Sequence, residues 1–570
     1  MKKILFALLG IGLLFTACTD EDEIYQNPYR IIVEYQPSTF TINGITGNVT
    51  PDGDYDWITS NGGGSFTVRR NTTGLIRRAE FTVSGSKDKA VVSQRAHSLD
   101  GVVSTVLSGQ SLGSASVDLI LSTSFPEDYE SWGIIYGKTS NRESGKEVPQ
   151  TGAPQSGKNT GMISGLEEGV DYYAWTYVVS TEGDKLYSGA IGILPPVYVQ
   201  KGEDLQAAID GAKDFSEVRI LGADSGVEYT GPIALKNSVT ISGGWNSDFS
   251  GQSPDNRTVI KGKNGVVFTT AGLQDGATIS YLDISGGSNP NEGGAMQLDA
   301  GSKLTIEFCN IHDNYSGDQG GAIKVMEGAK LFVANSIFKD NAGNHHGGAI
   351  AASSKCEVTL INSLFDHNLS LKRNGYSGAI FLQDGVKAVM VNCTAVNNVN
   401  WPDSGSSYDS WPTVAFRGSG TSLVFCNNIV VGNMFYPYDA NVEGLDLSVP
   451  SSYATIVPVQ RQHESVMIRC VRDNPDLTHV ISSNLIEGAF GWHSVNVDQI
   501  NAANTFTAVG FDLSTVFKAP ASGDYTPVGS ALKGELSSAV KEALGKYDTD
   551  LAGNPRITDG TINIGCYQVQ

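Results

Sequence analysis

The chain has 570 residues, of which 40% are hydrophobic and only 17% charged; it carries 66 glycines and a formal net charge of −21 from 39 Lys+Arg against 60 Asp+Glu. That length exceeds one ordinary hydrophobic core, so several domains or a repetitive stack follow. The acidic balance excludes electrostatic binding of nucleic acid, and the glycine-rich, charge-poor composition excludes a long-helix architecture in favour of strands and turns.

At the N-terminus Lys2 and Lys3 precede an apolar run from Ile4 to Phe15, too short to span a bilayer comfortably, and Thr16 and Ala17 put small residues before Cys18. This is the pattern of a secretion signal over 1–17. The run LLFTAC resembles a bacterial lipobox, which implies that Cys18 is lipidated and becomes the first mature residue. Thr19-Asp20-Glu21-Asp22-Glu23 follows at once, within a tether over 18–28, and resembles the acidic export signal of Bacteroidetes lipoproteins. The resemblance implies an outer-membrane lipoprotein facing the cell exterior, with the membrane as partner through its anchor. The other cysteines, Cys309, Cys356, Cys393, Cys426, Cys470 and Cys566, show neither CxxC pairing nor metal-ligand spacing. They read as small buried side chains, and no disulfide pairing follows from their spacing.

Over 29–97, short alternating strands such as SFTVRRN and RRAEFTVSG are broken by turns, the pattern of a small β-sandwich. The order Trp57-Ile58-Thr59-Ser60, Val68 with Asn71, Arg77 to Val83 and Val91 to Gln94 resembles the BACON module of Bacteroidetes surface proteins. Trp57 reads as a core residue or as a sugar-stacking face. A second sandwich covers 98–195, where Leu166 to Tyr172 has the spacing of a tyrosine corner. With Trp132 to Gly137 it resembles a fibronectin type III module, and Pro195-Pro196 closes it stiffly.

Leu205 to Ala212 is an amphipathic helix with Leu205, Ala208 and Ile209 on one face, suited to capping the open end of a stack. What it caps is a repeat: GGAMQLDAGSKLTIEFCNIHDN from Gly293, GGAIKVMEGAKLFVANSIFKDN from Gly320, GGAIAASSKCEVTLINSLFDHN from Gly347 and SGAIFLQDGVKAVMVNCTAVNN from Ser377. Units of this size cannot bury their own apolar face and must lean on neighbours. Each holds three strand-like pieces, enough for a triangular coil. Paired glycines such as Gly320-Gly321 suit a crowded corner. Asn314, Asn341, Asn368, Asn398 and Asn433 form one column and Asn335, Asn362, Asn392 and Asn427 another, so amides are expected to bond from coil to coil at about 4.8 Å.

The repeat resembles that of right-handed parallel β-helices of bacterial surface proteins and polysaccharide-active enzymes, here over 197–510. The fold class expected is therefore all-β: two small β-sandwiches, then a right-handed parallel β-helix with a short capping helix. Residues 511–570, with Ser522 to Pro527 and Asp550 to Arg556, resemble the tail of secreted β-helix proteins and read as a C-terminal cap.

For chemistry, Asp313 and Asp340 fall one coil apart beside His312, and Asp366-His367 continues the series. A glycoside hydrolase needs paired carboxylates, about 6.5–9.5 Å apart if inverting, and a polysaccharide lyase needs a base beside carboxylates that hold a cation. Each candidate also sits in a turn position where Asp and His are common. His345-His346 reads as a turn, and Lys372-Arg373, in the three-residue expansion of the third unit, is a cationic pair placed to meet an acidic ligand. For binding, two insertions carry Trp401, Tyr408, Trp411, Phe435, Tyr436 and Tyr438, whose aromatic faces suit sugars. The expectation is a surface protein binding a polysaccharide or host glycan or glycoprotein, with an enzyme or a purely structural stalk as alternatives. No cofactor or metal is implied, and Ca2+ enters only under the lyase alternative.

Overall fold

The computed structural model describes residues 27–569, apart from 72–74, 96–100, 112, 124, 168–169, 237, 372–376, 402–412, 418–419, 436–458, 461–465, 471–477, 492–499, 501, 509, 511 and 529–531. Cys18 and its acidic tether lie outside the described residues. The chain divides into two compact units, one of Met1–Leu166 with Tyr172–Ile193, the other of Glu167–Asp171 with Leu194–Gln570.

Within the first unit, strands Arg30–Val33, Ala90–Gln94, Arg77–Val83 and Val49–Pro51 form one sheet and Ser38–Thr41, Ser65–Val68 and Ile58–Gly62 another. Phe66, Val68, Ala79 and Phe81 alternate inward from these strands and meet Trp57, which is 8% exposed. The Arg77 guanidinium covers the indole at 4.6 Å, so Trp57 is a core residue with a cation on its remaining face. Strands Val102–Ser111, Ser114–Ser122 and Gly157–Ser164 form a third sheet, and Tyr129–Gly137, Lys146–Pro149, Tyr172–Ser180, Lys185–Tyr187 and Ile191–Ile193 a fourth. Tyr172 is buried at the head of its strand against Tyr136. Buried Asp128, paired with Arg70 and accepting from Tyr35 Oη at 3.0 Å, ties loops of this unit together.

The second unit is a solenoid. Helix α1 (Leu205–Gly211) starts where the Asp204 carboxylate accepts from the backbone N–H groups of Gln206 and Ala207, and it buries Leu205 and Ile209 over the first coils. Coils then run from Val197–Val199 to Thr505–Thr507 and build two ten-stranded parallel sheets and two of seven strands. The register is in step: Leu304, Leu331, Val358, Ala388 and Leu423 pair in sequence along the first long sheet. One central core of Ile, Leu, Val, Phe, Ala and Cys runs through every coil. Each repeat holds four strands where three were expected; the fourth, such as Ala342–Gly343, is two residues long and has no periodicity to betray it. The paired glycines stand at a crowded corner: Gly320 has φ 69°, and a Cβ on it would strike the Ile323 carbonyl.

The first asparagine column is continuous. Asn314 Nδ2 donates to Asn341 Oδ1 at 2.9 Å, Asn341 to Asn368 at 3.0 Å, Asn368 to Asn398 at 2.9 Å and Asn398 to Asn433 at 2.9 Å, all buried. The second column behaves differently. Asn335, Asn362, Asn392 and Asn427 sit at φ 47–57° and donate mainly to the C-terminal segment: to the carbonyls of Asp550 at 3.0 Å, Thr549 at 2.9 Å, Asn563 at 2.8 Å and Glu535 at 2.9 Å. The C-terminal segment is thus no lid on the last coil. It is a strap running back along the flank, where Phe517, Tyr525, Leu532 and Ile564 cover outward-facing Leu364, Val396, Ile429 and Val431. Helix α2 (Ser538–Leu544) lays Val540 and Leu544 on Ala334, Ile361, Val391 and Cys426.

Cys309, Cys356, Cys393, Cys426 and Cys566 are buried free thiols, and burial pushes Cys309 up to about 12, far from a reactive thiolate. Cys470 belongs to the strand Val466–Cys470.

Candidate functional site

Seven successive coils turn out of the second long sheet through one residue of left-handed backbone: Gly286, Asp313, Asp340, His367, Asn397, Gly432 and Gly488, at φ 68°, 52°, 52°, 54°, 56°, 64° and 79°. Gly, Asn and Asp tolerate this geometry best, which explains why these types recur immediately before the asparagine ladder. Stacking the coils brings the turns into a row with about 4.8 Å between members. The sequence candidates Asp313, Asp340 and His367 occupy successive places in it, and Asp366 ends the adjoining strand Leu364–Asp366.

Two residue groups give the row its electrostatics. His312, outward on the strand Asn310–His312, donates through one ring nitrogen to Asp283 at 2.9 Å and through the other to Asp313 at 2.6 Å. Burial disfavours its charge, but the hydrogen bonds and charges of the two carboxylates outweigh that and push His312 up to about 9. With both nitrogens engaged it is a clamped cation, closed to proton transfer. The second group is open. Asp366, 3% exposed, accepts His367 Nδ1 at 2.7 Å, Tyr525 Oη at 3.1 Å and Asn397 Nδ2 at 3.1 Å. The His367 side chain is 45% exposed, and the Asp366 hydrogen bond and charge raise its pKa against the effect of burial. A carboxylate that fixes one ring nitrogen leaves the other as the chemically available face of the imidazole.

Asp340 lies between these groups. Burial raises its carboxyl above the ordinary range, Asp313 and Asp366 add to the rise, and His367 and Lys339 oppose it. The row therefore presents a clamped imidazolium, a carboxyl inclined to hold its proton and an oriented imidazole along one edge of the rod. Among the described residues no three His, Cys, Asp or Glu side chains gather as a cation site.

The aromatic candidates fare differently. Trp401 is 3% exposed and packs with Leu369, Leu371, Val399 and Ala342, and Phe435 is 6% exposed. An indole spent on packing has no free face for a sugar, which corrects the expectation for Trp401. Tyr408, Trp411, Tyr436 and Tyr438 lie outside the described residues, as do Lys372 and Arg373. His345 meets Asp318 at 3.2 Å and stacks on buried His346, which lies over Phe381. Sequence reasoning missed Asp283 and Tyr525, since contacts spanning 29 and 159 residues leave no local pattern.

Comparison with known proteins bears on the fold. Residues 246–437 match the family model described as a right handed beta helix region. A Yersinia enterocolitica family 28 exopolygalacturonase matches at 10% identity over 72% of this chain and 97% of its own, with a TM-score of 0.20. Pectate lyase PelI from Erwinia chrysanthemi matches at 16% identity over 59% and 86%, TM-score 0.14. The chicken CNTN1 FN1-FN3 domains match at 13% identity over 30% and 68%, TM-score 0.14. No curated protein matches. In architecture the chain is all-β, with small N-terminal sandwich sheets and a right-handed parallel β-helix closed by a short helix at its first coils.

Proposed function

We propose that this chain is an outer-membrane lipoprotein, anchored through Cys18, whose β-helix binds a polysaccharide or host glycan along the edge formed by Asp313, Asp340, Asp366 and His367. The observation that carries the reading is the row itself: the partly exposed side chains of Asp313, Asp340 and His367 at about 4.8 Å intervals, with buried Asp366 orienting His367 and an internal amide ladder holding the coils. An extended glycan offers hydroxyls in a comparable linear array, and carboxylate and imidazole groups are suited to accept and donate to them. The test is affinity electrophoresis of the purified protein through neutral and acidic polysaccharides. Retardation that weakens in Asp340→Asn and His367→Ala supports the reading; retardation by none of them favours a purely structural stalk. Replacing Cys18 by Ser should move the protein from the membrane fraction to the soluble one.

A second reading, glycoside hydrolysis, is favoured by Asp340 specifically. A carboxyl held above its ordinary range is fitted to protonate a glycosidic oxygen, and Asp313, 54% exposed and one coil away, is the carboxylate to pair with it. The coil spacing of about 4.8 Å is nearer to the retaining separation of about 5–5.5 Å than to the inverting one. New reducing ends that vanish in Asp340→Asn would establish this reading over binding alone.

A further inference from the structure

We propose a second carbohydrate site on a different face of the rod: a groove over the N-terminal coils of the first long sheet, with Phe215 as its stacking platform and a neutral pyranose chain as its ligand. The proposal rests on reading the chain as a glycan binder. The groove has a volume of about 350 Å3, and Phe215, Thr240, Thr278, Thr305, Asp275 and Lys303 are among the residues that line it.

Its floor is a column of registered threonines. Thr240 pairs with Thr278 and Thr278 with Thr305, while their neighbours Ile241, Ile279 and Ile306 point into the core. Alternation along each strand therefore turns all three hydroxyls outward, one per coil, over about 10 Å. The column stops at the next coil, where Phe332 takes the threonine's place and is stacked on Tyr547 of the strap at 5.2 Å. The strap thereby bounds the groove on that side.

Phe215 has no explanation in folding. Its side chain is 73% exposed, so it contributes little burial, and its backbone is left-handed at φ 67°, a conformation a bulky residue adopts only under constraint. Its N–H is held by the Ser238 carbonyl at 2.8 Å. A residue that costs strain and gains no burial is accounted for by what its exposed ring meets. An aromatic face takes the C–H face of a pyranose, and the threonine hydroxyls can both donate to and accept from its hydroxyls. The rim carries one carboxylate, Asp275, and one ammonium, Lys303, so it favours neither sign of charge and suits a neutral sugar over a uronate or an amino sugar.

Affinity electrophoresis against galactomannan, amylose and hydroxyethylcellulose tests this, using the full chain and the variants Phe215→Ala, Phe215→Gly, Thr278→Val and Asp340→Asn. The expected result is retardation by at least one of the three polysaccharides that falls about tenfold in both Phe215 variants and less in Thr278→Val, with the Tm of Phe215→Gly equal to or above that of the parent, because glycine relieves the left-handed strain. A drop in the Tm of Phe215→Gly would assign Phe215 a structural role and overturn the proposal. Retardation that survives in Phe215→Ala but weakens in Asp340→Asn would remove this site and leave the row standing; no retardation of the parent by any neutral or acidic polysaccharide would remove both.

Discussion

At the scale of single residues, the asparagine ladder and the His312 clamp are the points where one side chain has most to lose. Asn368 is buried and donates to Phe338 O at 2.9 Å and Asn398 Oδ1 at 2.9 Å while accepting from Asn341 Nδ2 at 3.0 Å. Asn368→Ala strands several buried donors and acceptors at once, and each unmade bond costs about 1–3 kcal/mol. The expected loss is roughly 3–5 kcal/mol, read by chemical denaturation, whereas Asn344→Ala at the partly buried periphery should cost under about 1 kcal/mol. His312 adds a pH signature. Its folded value of about 9 exceeds the ordinary 6.5, so the clamp's contribution is complete below about pH 6.5 and is lost as pH rises through about 9. Its size is of order 2 kcal/mol once partial exposure is allowed for. The Tm of the parent should therefore fall between pH 6.5 and 9 by more than that of His312→Gln. Trp401 belongs to the same scale: as a buried indole its replacement by Ala should cost about 3–5 kcal/mol, measurable as a lowered denaturation midpoint.

Among the elements, the strap explains why the outward faces of the solenoid are so apolar. Leu364, Val396, Ile429 and Val431 would lie on bare sheet, as would Ala334, Ile361 and Val391, were they not covered by Tyr525, Leu532 and the α2 residues Val540 and Leu544. A chain ending before residue 511 is expected to expose both patches and to elute as aggregate in size-exclusion chromatography, where the full chain does not. The strap also reaches the candidate site. Tyr525 donates to Asp366, and Tyr525→Phe should leave the pKa of His367 raised, since the direct Asp366 bond that raises it remains; NMR titration of His367 would report it. Helix α1 closes the opposite end with two buried side chains, Leu205 and Ile209, and was readable because its apolar spacing stands out in a β-rich chain.

For the whole molecule, the two compact units have separate cores, the first built on Trp57, Phe66 and Phe81 and on a second cluster of Ile135, Trp175 and Tyr177, the second continuous from coil to coil. Calorimetry should resolve two unfolding transitions, with Asn368→Ala shifting only the one that belongs to the solenoid. The coils stack nearest neighbour on nearest neighbour, so cooperativity in the second unit comes from the shared ladder and the strap that spans several coils at once.

How much of this was legible in the chain differs by feature. The repeat from Gly293 to Asn398 determined the fold, because a period repeated in glycine, asparagine and apolar positions admits only stacked coils in register. It also determined that Asp313, Asp340 and His367 share one corner, since equal spacing in sequence becomes adjacency in a solenoid. Tertiary structure alone decided that the second asparagine column also holds the strap, because the bond Asn362 makes to Thr549, beside the one it keeps to Asn335 at 3.2 Å, depends on where a segment 187 residues away comes to lie. It alone decided that Trp401 packs inward and that Phe215 stays out, for an aromatic side chain carries no mark of its own exposure. Periodic contacts are written locally and repeated; contacts between unlike, distant segments are set by which surfaces remain uncovered once the coils have stacked.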